Sequence, residues 1–233
     1  MEFGAIKTVS LFIPWFNVSI TVNPITIFTT WGICLFLLLV ASVVSLKLQK
    51  FPGKLQALVE IIYEAFSGIV VDTIGEGGEK FVPYVLTLFL FVLLSNWISS
   101  IPGFHSPTAD LNTTLGLGLI AFLVAHGSAI SYKGLKGYLS GYLEPFPVFL
   151  PLNVISELGK LLSHSFRLFG NIYAGGIVVA LIPYIVLKLL GYWSVPILVV
   201  AMPGLKAFFE VFVGGVQAFV FALLAAAYIS VLR

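Results

Sequence analysis

The sequence predicts an all-α integral membrane protein with about five membrane-embedded helices, a long tilted C-terminal helical hairpin and one amphipathic surface helix. Two observations concern composition: 59% of the 233 residues are hydrophobic, and only 9% are charged. Soluble domains carry about 25% charged residues, so this chain has too few charges to cover a water-facing surface. The third observation is that the charges are clustered and separate long stretches that contain none.

Three largely uncharged stretches predict single membrane crossings, at residues 27–48, 80–101 and 113–132. A helix needs about 20 apolar residues to cross a hydrocarbon core of about 30 Å. Residues 1–26, which precede the first crossing, are predicted to form an external N-terminal segment. From Phe16 to Asn23 apolar and polar residues alternate, and this period of two predicts a short strand or hairpin at the interface.

Residues 52–79 show a different pattern. Apolar residues recur there at helical spacing, and charged residues fall on the other side. This pattern is typical of an amphipathic helix that lies on the membrane surface. Gly75, Gly77 and Gly78 are predicted to end this helix.

The C-terminal part is predicted to be a hairpin of two long helices, at residues 147–190 and 193–232. The first helix would extend for about 60 Å if it were helical throughout. That length is about twice the thickness of the membrane core, so the helix must tilt strongly or bend. Pro183 and the Gly175–Gly176 pair are the predicted bend points.

Lysines in short loops predict the orientation, because cytoplasmic loops carry an excess of Lys and Arg. Lys47, Lys50 and Lys54 follow the first predicted span, and Lys133 and Lys136 follow the third. The loop between the second and third spans contains neither Lys nor Arg. We therefore predict that the N-terminus lies outside and the C-terminus lies in the cytoplasm.

Arginine occurs at two positions, Arg167 and Arg233. We interpret Arg233 as a residue that simply meets water. Arg167 lies inside the first helix of the hairpin, and an ionisable side chain at membrane depth is by default a functional hypothesis. The alternative is that Arg167 extends to a lipid head group.

Polar residues surround Arg167 at helical spacing. They stand four or three positions apart and would form one stripe along about five helical turns: Asn153, Glu157, Lys160, His164, Arg167 and Asn171. A stripe of this length indicates a wet surface or an oppositely charged partner, whereas contact with a head group requires only an end position. A salt bridge between Glu157 and Lys160 would explain two of these residues but not Arg167.

The returning helix carries a sparser stripe of Glu210, Gly214 and Gln217, with Lys206 one turn earlier. Glu210 is a candidate ion relay, and the alternative is a protonated, satisfied core residue. Small residues beside this stripe allow close helix approach or leave room for water.

Other polar residues are weaker candidates. Asn96, Ser95 and Ser99, near the outer end of the second span, are candidates for lining water. His105 and His126 are interpreted as ordinary loop and packing residues. No HExxH, CxxC or nucleophile motif occurs, so we expect no catalytic metal and no cofactor. No basic cluster indicates nucleic acid.

Four motifs resemble subunit a of the membrane sector of F-type ATP synthases: LPLNVISELGK at 150–160, SFRLFGNIYAGG at 165–176, EVFVGGVQAF at 210–219 and SPTADLNTT at 106–114. The resemblance covers the chain from the first span onward. It implies a stator subunit of a bacterial plasma membrane, non-catalytic by itself, that couples proton or sodium flow to rotation. The implied partners are a ring of c subunits, b-type peripheral stalk subunits, the rest of the ATP synthase and membrane lipid.

By this resemblance, Arg167 faces the ring and separates two offset aqueous half-channels. Asn171 lies on the same face, and Gln217 approaches the arginine from the last helix. Some members pair an acidic residue at the position of Gly176 with His at the position of Glu210. This sequence has Gly and Glu there, an exchange that the family also shows.

The resemblance also implies which residues line each half-channel. Glu210 and Asn96 would serve the outer one, where some members carry Asp in place of Ser99. Glu157 and Asn153 would line the cytoplasmic one. The choice between proton and sodium stays open, because the selective site lies mainly on the ring.

Three other functions fit the sequence less well. An ion-coupled secondary transporter would need paired repeats and broken helices at matching positions, and neither is visible. An intramembrane enzyme would need a nucleophile or a metal set. A structural scaffold gives no reason for the long polar stripe.

Overall fold

The structure is a computed structural model that describes residues 9–13, 18–46, 48–101 and 103–233. Two strands come first, β1 (Val9–Ile13) and β2 (Val18–Val22). The helices that follow are α1 (Pro24–Leu46), α2 (Lys54–Ile74), α3 (Val82–Trp97), α4 (Leu111–Gly141), α5 (Leu150–Leu190), α6 (Val195–Ala207) and α7 (Gly214–Leu232). The predicted helical membrane fold is confirmed.

The N-terminal strands form an antiparallel hairpin in which Val9 pairs with Val22 and Ile13 with Val18. The alternation of apolar and polar residues therefore marked β2 correctly, because side chains of a strand point to opposite faces in turn. Phe16, where the predicted alternation begins, lies outside the described residues.

Within the described residues, four stretches are long and apolar enough to cross a membrane: Pro24–Leu46, Gly78–Ser100, Leu111–Gly141 and Pro147–Leu232. The last stretch contains the C-terminal hairpin. Its first leg, α5, is one helix of 41 residues that continues through Pro183, or about 60 Å. Its second leg is divided into α6, a π-helical segment at Phe208–Val213, and α7. The π-helical segment was not predicted.

Helix α4 is longer than the predicted span at 113–132 and continues to Gly141. Gly134, with φ 72° and ψ 162°, interrupts the helical geometry, and glycine adopts this left-handed φ without steric cost. Lys133 and Lys136 are exposed on the continuation. Charges at these positions mark the end of the apolar segment, but the helix itself extends beyond it.

Helix α2 is amphipathic as predicted and packs against α3 and α7. Phe66 and Val70 are buried in a cluster with Val82 and Ala222, while Leu58 on another face is 59% exposed. The helix ends at Gly75, whose φ of 82° places it in the left-handed region. The predicted glycine stop is therefore confirmed.

Helix α7 is central to the bundle and contacts α2, α3, α4 and α5. Small side chains allow this close packing, since four alanines of α7 are fully buried: Ala218, Ala222, Ala225 and Ala226. Phe221 joins Leu168 of α5 and Val92 of α3 in one hydrophobic cluster. At Gly118 on α4, an added Cβ would overlap the Oγ of Ser165 on α5.

The interpretation of Arg233 as a residue that simply meets water is wrong. Its guanidinium carbon lies 5.5 Å from the centroid of the Phe81 ring and 4.7 Å from that of Tyr132. A cation over an aromatic face is attracted by the negative face of the ring. These contacts tie the end of α7 to the start of α3 and to α4.

Candidate functional site

Arg167 is exposed on the surface of α5, away from both ends of the helix. The next residue, Leu168, is fully buried, and so is Ser165 two positions earlier. Packing of this face against the bundle therefore turns Arg167 outward. The ion pairs found in the described ranges are Glu157 with Lys160 and His126, and Glu210 with Lys206, so Arg167 takes part in none.

Asn171 and Gln217 meet one turn from Arg167. The Asn171 Nδ2 donates a hydrogen bond of 2.7 Å to the Gln217 Oε1, which joins α5 to α7. Gln217 is only 5% exposed, and its Nε2 has no hydrogen-bond partner in the part of the chain that the structure describes. The two predicted stripes therefore face each other at this amide pair.

A cavity of about 350 Å³ opens on one side of this amide pair. We call it the first cavity. Its polar lining includes Asn96, Ser99, His105, Asn171, Lys206 and Glu210. Four of these residues were predicted site residues, so the structure brings that part of the predicted set together.

Asn96 lines the first cavity but is also part of the packing. It is 1% exposed, its Nδ2 donates to the Gly214 carbonyl at 2.8 Å, and its Oδ1 accepts from the Thr108 hydroxyl at 2.6 Å. The Ser99 hydroxyl donates to the Asn96 carbonyl at 2.8 Å. Asn96 therefore holds α3 against α7 at the edge of the cavity.

Glu210 lies in the π-helical segment Phe208–Val213. One carboxylate oxygen is 3.8 Å from the Lys206 Nζ, and the other is buried without a hydrogen-bond partner among the described residues. Single π-helical turns are frequent at functional sites because they shift side chains relative to a regular α-helix. The ion pair between Glu210 and Lys206 was not predicted.

A second cavity, of about 360 Å³, lies toward the start of α5. We call it the second cavity, and its polar lining includes Tyr138, Tyr142, Asn153, Glu157 and Lys160. The Lys160 Nζ donates to Glu157 at 2.6 Å, and the Asn153 Nδ2 donates to the Tyr142 carbonyl at 2.8 Å. About 21 Å of helix axis separates Glu157 from Asn171, and Arg167 lies between them.

His164 departs from the predicted stripe. It is 2% exposed, and its ring stacks on Phe221 with centroids 3.9 Å apart. The stripe is therefore not one continuous wet surface, because residues spaced three and four apart still span a broad sector of a helix. Asn153, Glu157 and Lys160 line the second cavity, Asn171 lines the first, and His164 points into the bundle.

His126 was interpreted as an ordinary packing residue, but the structure places it beside Glu157. Its Nε2 is 4.0 Å from the Glu157 carboxylate, and its Nδ1 is 2.9 Å from the Tyr138 hydroxyl. His126 is on α4 and Glu157 is on α5, so no local spacing in the sequence links them. Within the described residues, no group of three His, Cys, Asp or Glu side chains is arranged to hold a metal ion.

The fold and the site define a multi-pass membrane protein that has two cavities with polar side chains in their linings and, between them, an exposed arginine beside an amide pair. Comparison with known proteins identifies the family. Residues 27–230 match the family model described as the ATP synthase A chain.

Individual relatives agree with this match. The ATP synthase subunit a of Desulforamulus reducens is 35% identical over 222 residues, which cover 93% of this chain and 82% of that protein. The sodium-ion-specific ATP synthase subunit a of Propionigenium modestum is 36% identical over 221 residues, covering 88% and 73%. Subunit a of Legionella pneumophila is 35% identical over 222 residues, covering 94% and 91%. The chain therefore belongs to the ATP synthase A chain family, membrane-sector subunits of a multi-subunit complex that links ion transport to ATP synthesis.

Proposed function

We propose that this chain is the stator ion channel of a rotary ATP synthase. It provides two offset aqueous half-channels to a ring of c subunits and separates them with Arg167. The observation that carries the proposal is the position of Arg167, which is exposed and outside every ion pair of the described residues, between two polar cavities. A cation in this position needs an anionic partner from another chain, because an isolated charge at membrane depth is costly.

The lysine distribution supports an orientation with the N-terminus outside and the C-terminus in the cytoplasm of a bacterium. Lys50 lies between α1 and α2, Lys54 is the first residue of α2, and Lys133 and Lys136 lie near the end of α4. In this orientation the first cavity, beside the loop at His105, opens to the outside. The second cavity, beside Tyr142, opens to the cytoplasm.

The surface of α5 beside Arg167 suits a closely packed partner helix. Small residues lie there at helical spacing: Gly159, Ser163 and Ala174 are exposed, and Gly170 is partly exposed. Small side chains let helix backbones approach within membranes. A ring of c subunits that passes this surface brings its carboxylates near the guanidinium, and b-type stalk subunits hold the chain against the rotating ring.

The arginine acts by biasing the charge of the passing carboxylate. At about 4 Å and an effective dielectric constant near 20, the attraction is about 4 kcal/mol. This attraction favours release of the bound ion and is small enough to be overcome as the ring moves. The ion then leaves through one cavity, and the next carboxylate is loaded from the other. Arg suits this position because its charge is permanent at any working pH.

The decisive experiment replaces Arg167 with Ala in the intact ATP synthase complex, reconstituted in vesicles. We expect ATP-driven ion pumping to be abolished and a passive ion leak to appear, because nothing then blocks direct passage between the cavities. Lys188→Ala, at the far end of α5, is the control and leaves pumping intact. Normal coupled pumping by the Arg167→Ala complex would refute the proposal.

The transported ion is tested with the same vesicles. The relative from Propionigenium modestum is described as sodium-ion specific, so sodium is one of the two ions to be tested for this chain. ATP hydrolysis and pumping are measured with and without sodium. Activity that requires sodium identifies sodium as the ion, and activity unaffected by its removal identifies the proton.

A further inference from the structure

We propose that His126 and His164 form a buried proton relay that connects the second cavity to the surroundings of Arg167 through a single water. This inference rests on the proposed function and assigns two histidines to its cytoplasmic half-channel. It also commits that half-channel to carrying protons.

A small chamber separates the two histidines. Its volume is about 20 Å³, and its lining includes His126, Glu157, Lys160, His164 and Tyr228. A water molecule needs about 10–15 Å³ in this measure, so the chamber holds one water and little more. Glu157 and Lys160 line both this chamber and the second cavity, so the two spaces adjoin.

Three unpartnered nitrogens belong to the histidines that line this chamber. Both ring nitrogens of His164 and the Nε2 of His126 are buried, and none has a hydrogen-bond partner within the described ranges. His164 is 2% exposed and His126 is 7% exposed. Buried polar atoms of native proteins are nearly always paired with protein groups or ordered water. A water in the chamber bonds one nitrogen of each ring and so joins the two histidines.

A chain of hydrogen bonds leads to the chamber from the second cavity. The Tyr142 hydroxyl is 2.9 Å from the Tyr138 hydroxyl, which is 2.9 Å from the His126 Nδ1. Burial and this hydrogen bond raise the pKa of Tyr142, so its phenol keeps its proton at physiological pH. A second route enters through Glu157, whose carboxylate is 4.0 Å from the His126 Nε2.

The chemistry of the chamber suits a proton better than a metal cation. Hard cations take several oxygen ligands, whereas the chamber presents imidazole nitrogens, and Lys160 already occupies the Glu157 carboxylate at 2.6 Å. A neutral imidazole accepts a proton on one nitrogen and releases one from the other. Arg167 follows His164 by three positions on α5, so the relay ends within one helical turn of the arginine, and the proton acceptor is the c-ring carboxylate that faces Arg167.

The test removes the ring nitrogens of the two histidines and keeps an aromatic ring in the same place in the packing. His164→Phe preserves the stacking surface against Phe221, and His126→Phe is the second variant in case the first complex does not assemble. Intact assembly is checked by ATP hydrolysis of the purified complex. We expect each variant to slow passive proton flux through the membrane sector by at least about tenfold. Tyr184→Phe, on an exposed part of α5, is the control and leaves the flux unchanged.

Chemical rescue separates a relay from a packing role. In a His164→Ala complex, added imidazole is expected to restore proton flux, because a free imidazole fills the space and carries protons again. Added benzene of similar size restores packing only and is expected to leave the flux low. Rescue by both compounds, or by neither, would overturn the relay.

The outcomes also separate this inference from the proposed function. If Arg167→Ala leaks ions while His164→Phe and His126→Phe conduct normally, the relay is wrong and the stator function stands. If Arg167→Ala pumps normally, the stator function itself fails. A strict requirement for sodium, with no response to either histidine substitution, would also overturn the relay.

Discussion

The two cavities have similar volumes but hold their carboxylates differently. The side chains of Glu157 and Glu210 are 16% and 21% exposed, so burial does not distinguish them. Glu157 is bound by Lys160 at 2.6 Å and approached by His126 at 4.0 Å. Glu210 has a single cation at 3.8 Å and one oxygen without a partner among the described residues.

This difference indicates different roles for the two carboxylates. Lys160 occupies one oxygen of Glu157 in a short, charge-assisted hydrogen bond. Glu210 is held more loosely and has an oxygen available to an ion or a water. We infer that Glu210 exchanges ions directly in the first cavity. In the second cavity, ion transfer depends more on the surrounding tyrosines and on the histidines of the adjoining chamber than on Glu157 alone.

The largest expected effect comes from removing each carboxylate in turn, and it tests whether the carboxylates of the two cavities differ in role. We expect Glu210→Gln to reduce ATP-driven pumping by about 100-fold, because it removes the group that exchanges ions. Glu157→Gln is expected to reduce pumping by less than about tenfold, because other groups line the second cavity. Pumping is measured in vesicles that contain the whole complex.

Glu64→Gln, on an exposed face of α2 outside both cavities, is the matched control and leaves pumping unchanged. Equal losses in the Glu210 and Glu157 variants, or a larger loss for Glu157→Gln, would contradict the assignment of different roles.

The helical membrane fold was predictable because the physics that determines it is local. Membrane crossings require long uncharged stretches, and α1, α3 and α4 follow from counting them. Glycines at positive φ ended α2 as expected. The approach of Gln217 to the face of Arg167 and Asn171 was implied by the resemblance alone, and the hydrogen bond between Asn171 and Gln217 agrees with it.

What could not be predicted depends on contacts between distant segments or on small changes of helical period. The π-helical segment around Glu210 alters the register without altering the apolar pattern. His126 and Glu157 meet only because α4 packs against α5. Arg233 looked like a terminal charge, and its aromatic partners, Phe81 and Tyr132, are far away in the sequence.

The amide pair between the cavities gives the next largest effect. Gln217→Leu keeps the volume but removes the acceptor of the Asn171 hydrogen bond, whose net contribution is about 0.5–1.5 kcal/mol. We expect pumping to fall by about tenfold, whereas the amount of assembled complex, measured by purification from membranes, changes little.

A double-mutant cycle tests whether the two amides act as a unit. Because Asn171 and Gln217 share one hydrogen bond, adding Asn171→Leu to Gln217→Leu is expected to cause little further loss. Losses that multiply would show that each amide acts separately, and the amide pair would then not form a single boundary between the cavities.

The smallest expected effect comes from replacing Lys160 and Lys206, the lysines paired with Glu157 and Glu210. It tests which carboxylate is held more tightly. Half-exposed ion pairs contribute less than about 1 kcal/mol, so Lys160→Gln and Lys206→Gln are each expected to change pumping by less than about fivefold. Lys160→Gln has the larger effect, because it releases a carboxylate held at 2.6 Å, whereas Lys206 is 3.8 Å from Glu210. Lys188→Gln is the control. A larger effect of Lys206→Gln would mean that Glu210, not Glu157, is the carboxylate that depends more on its lysine.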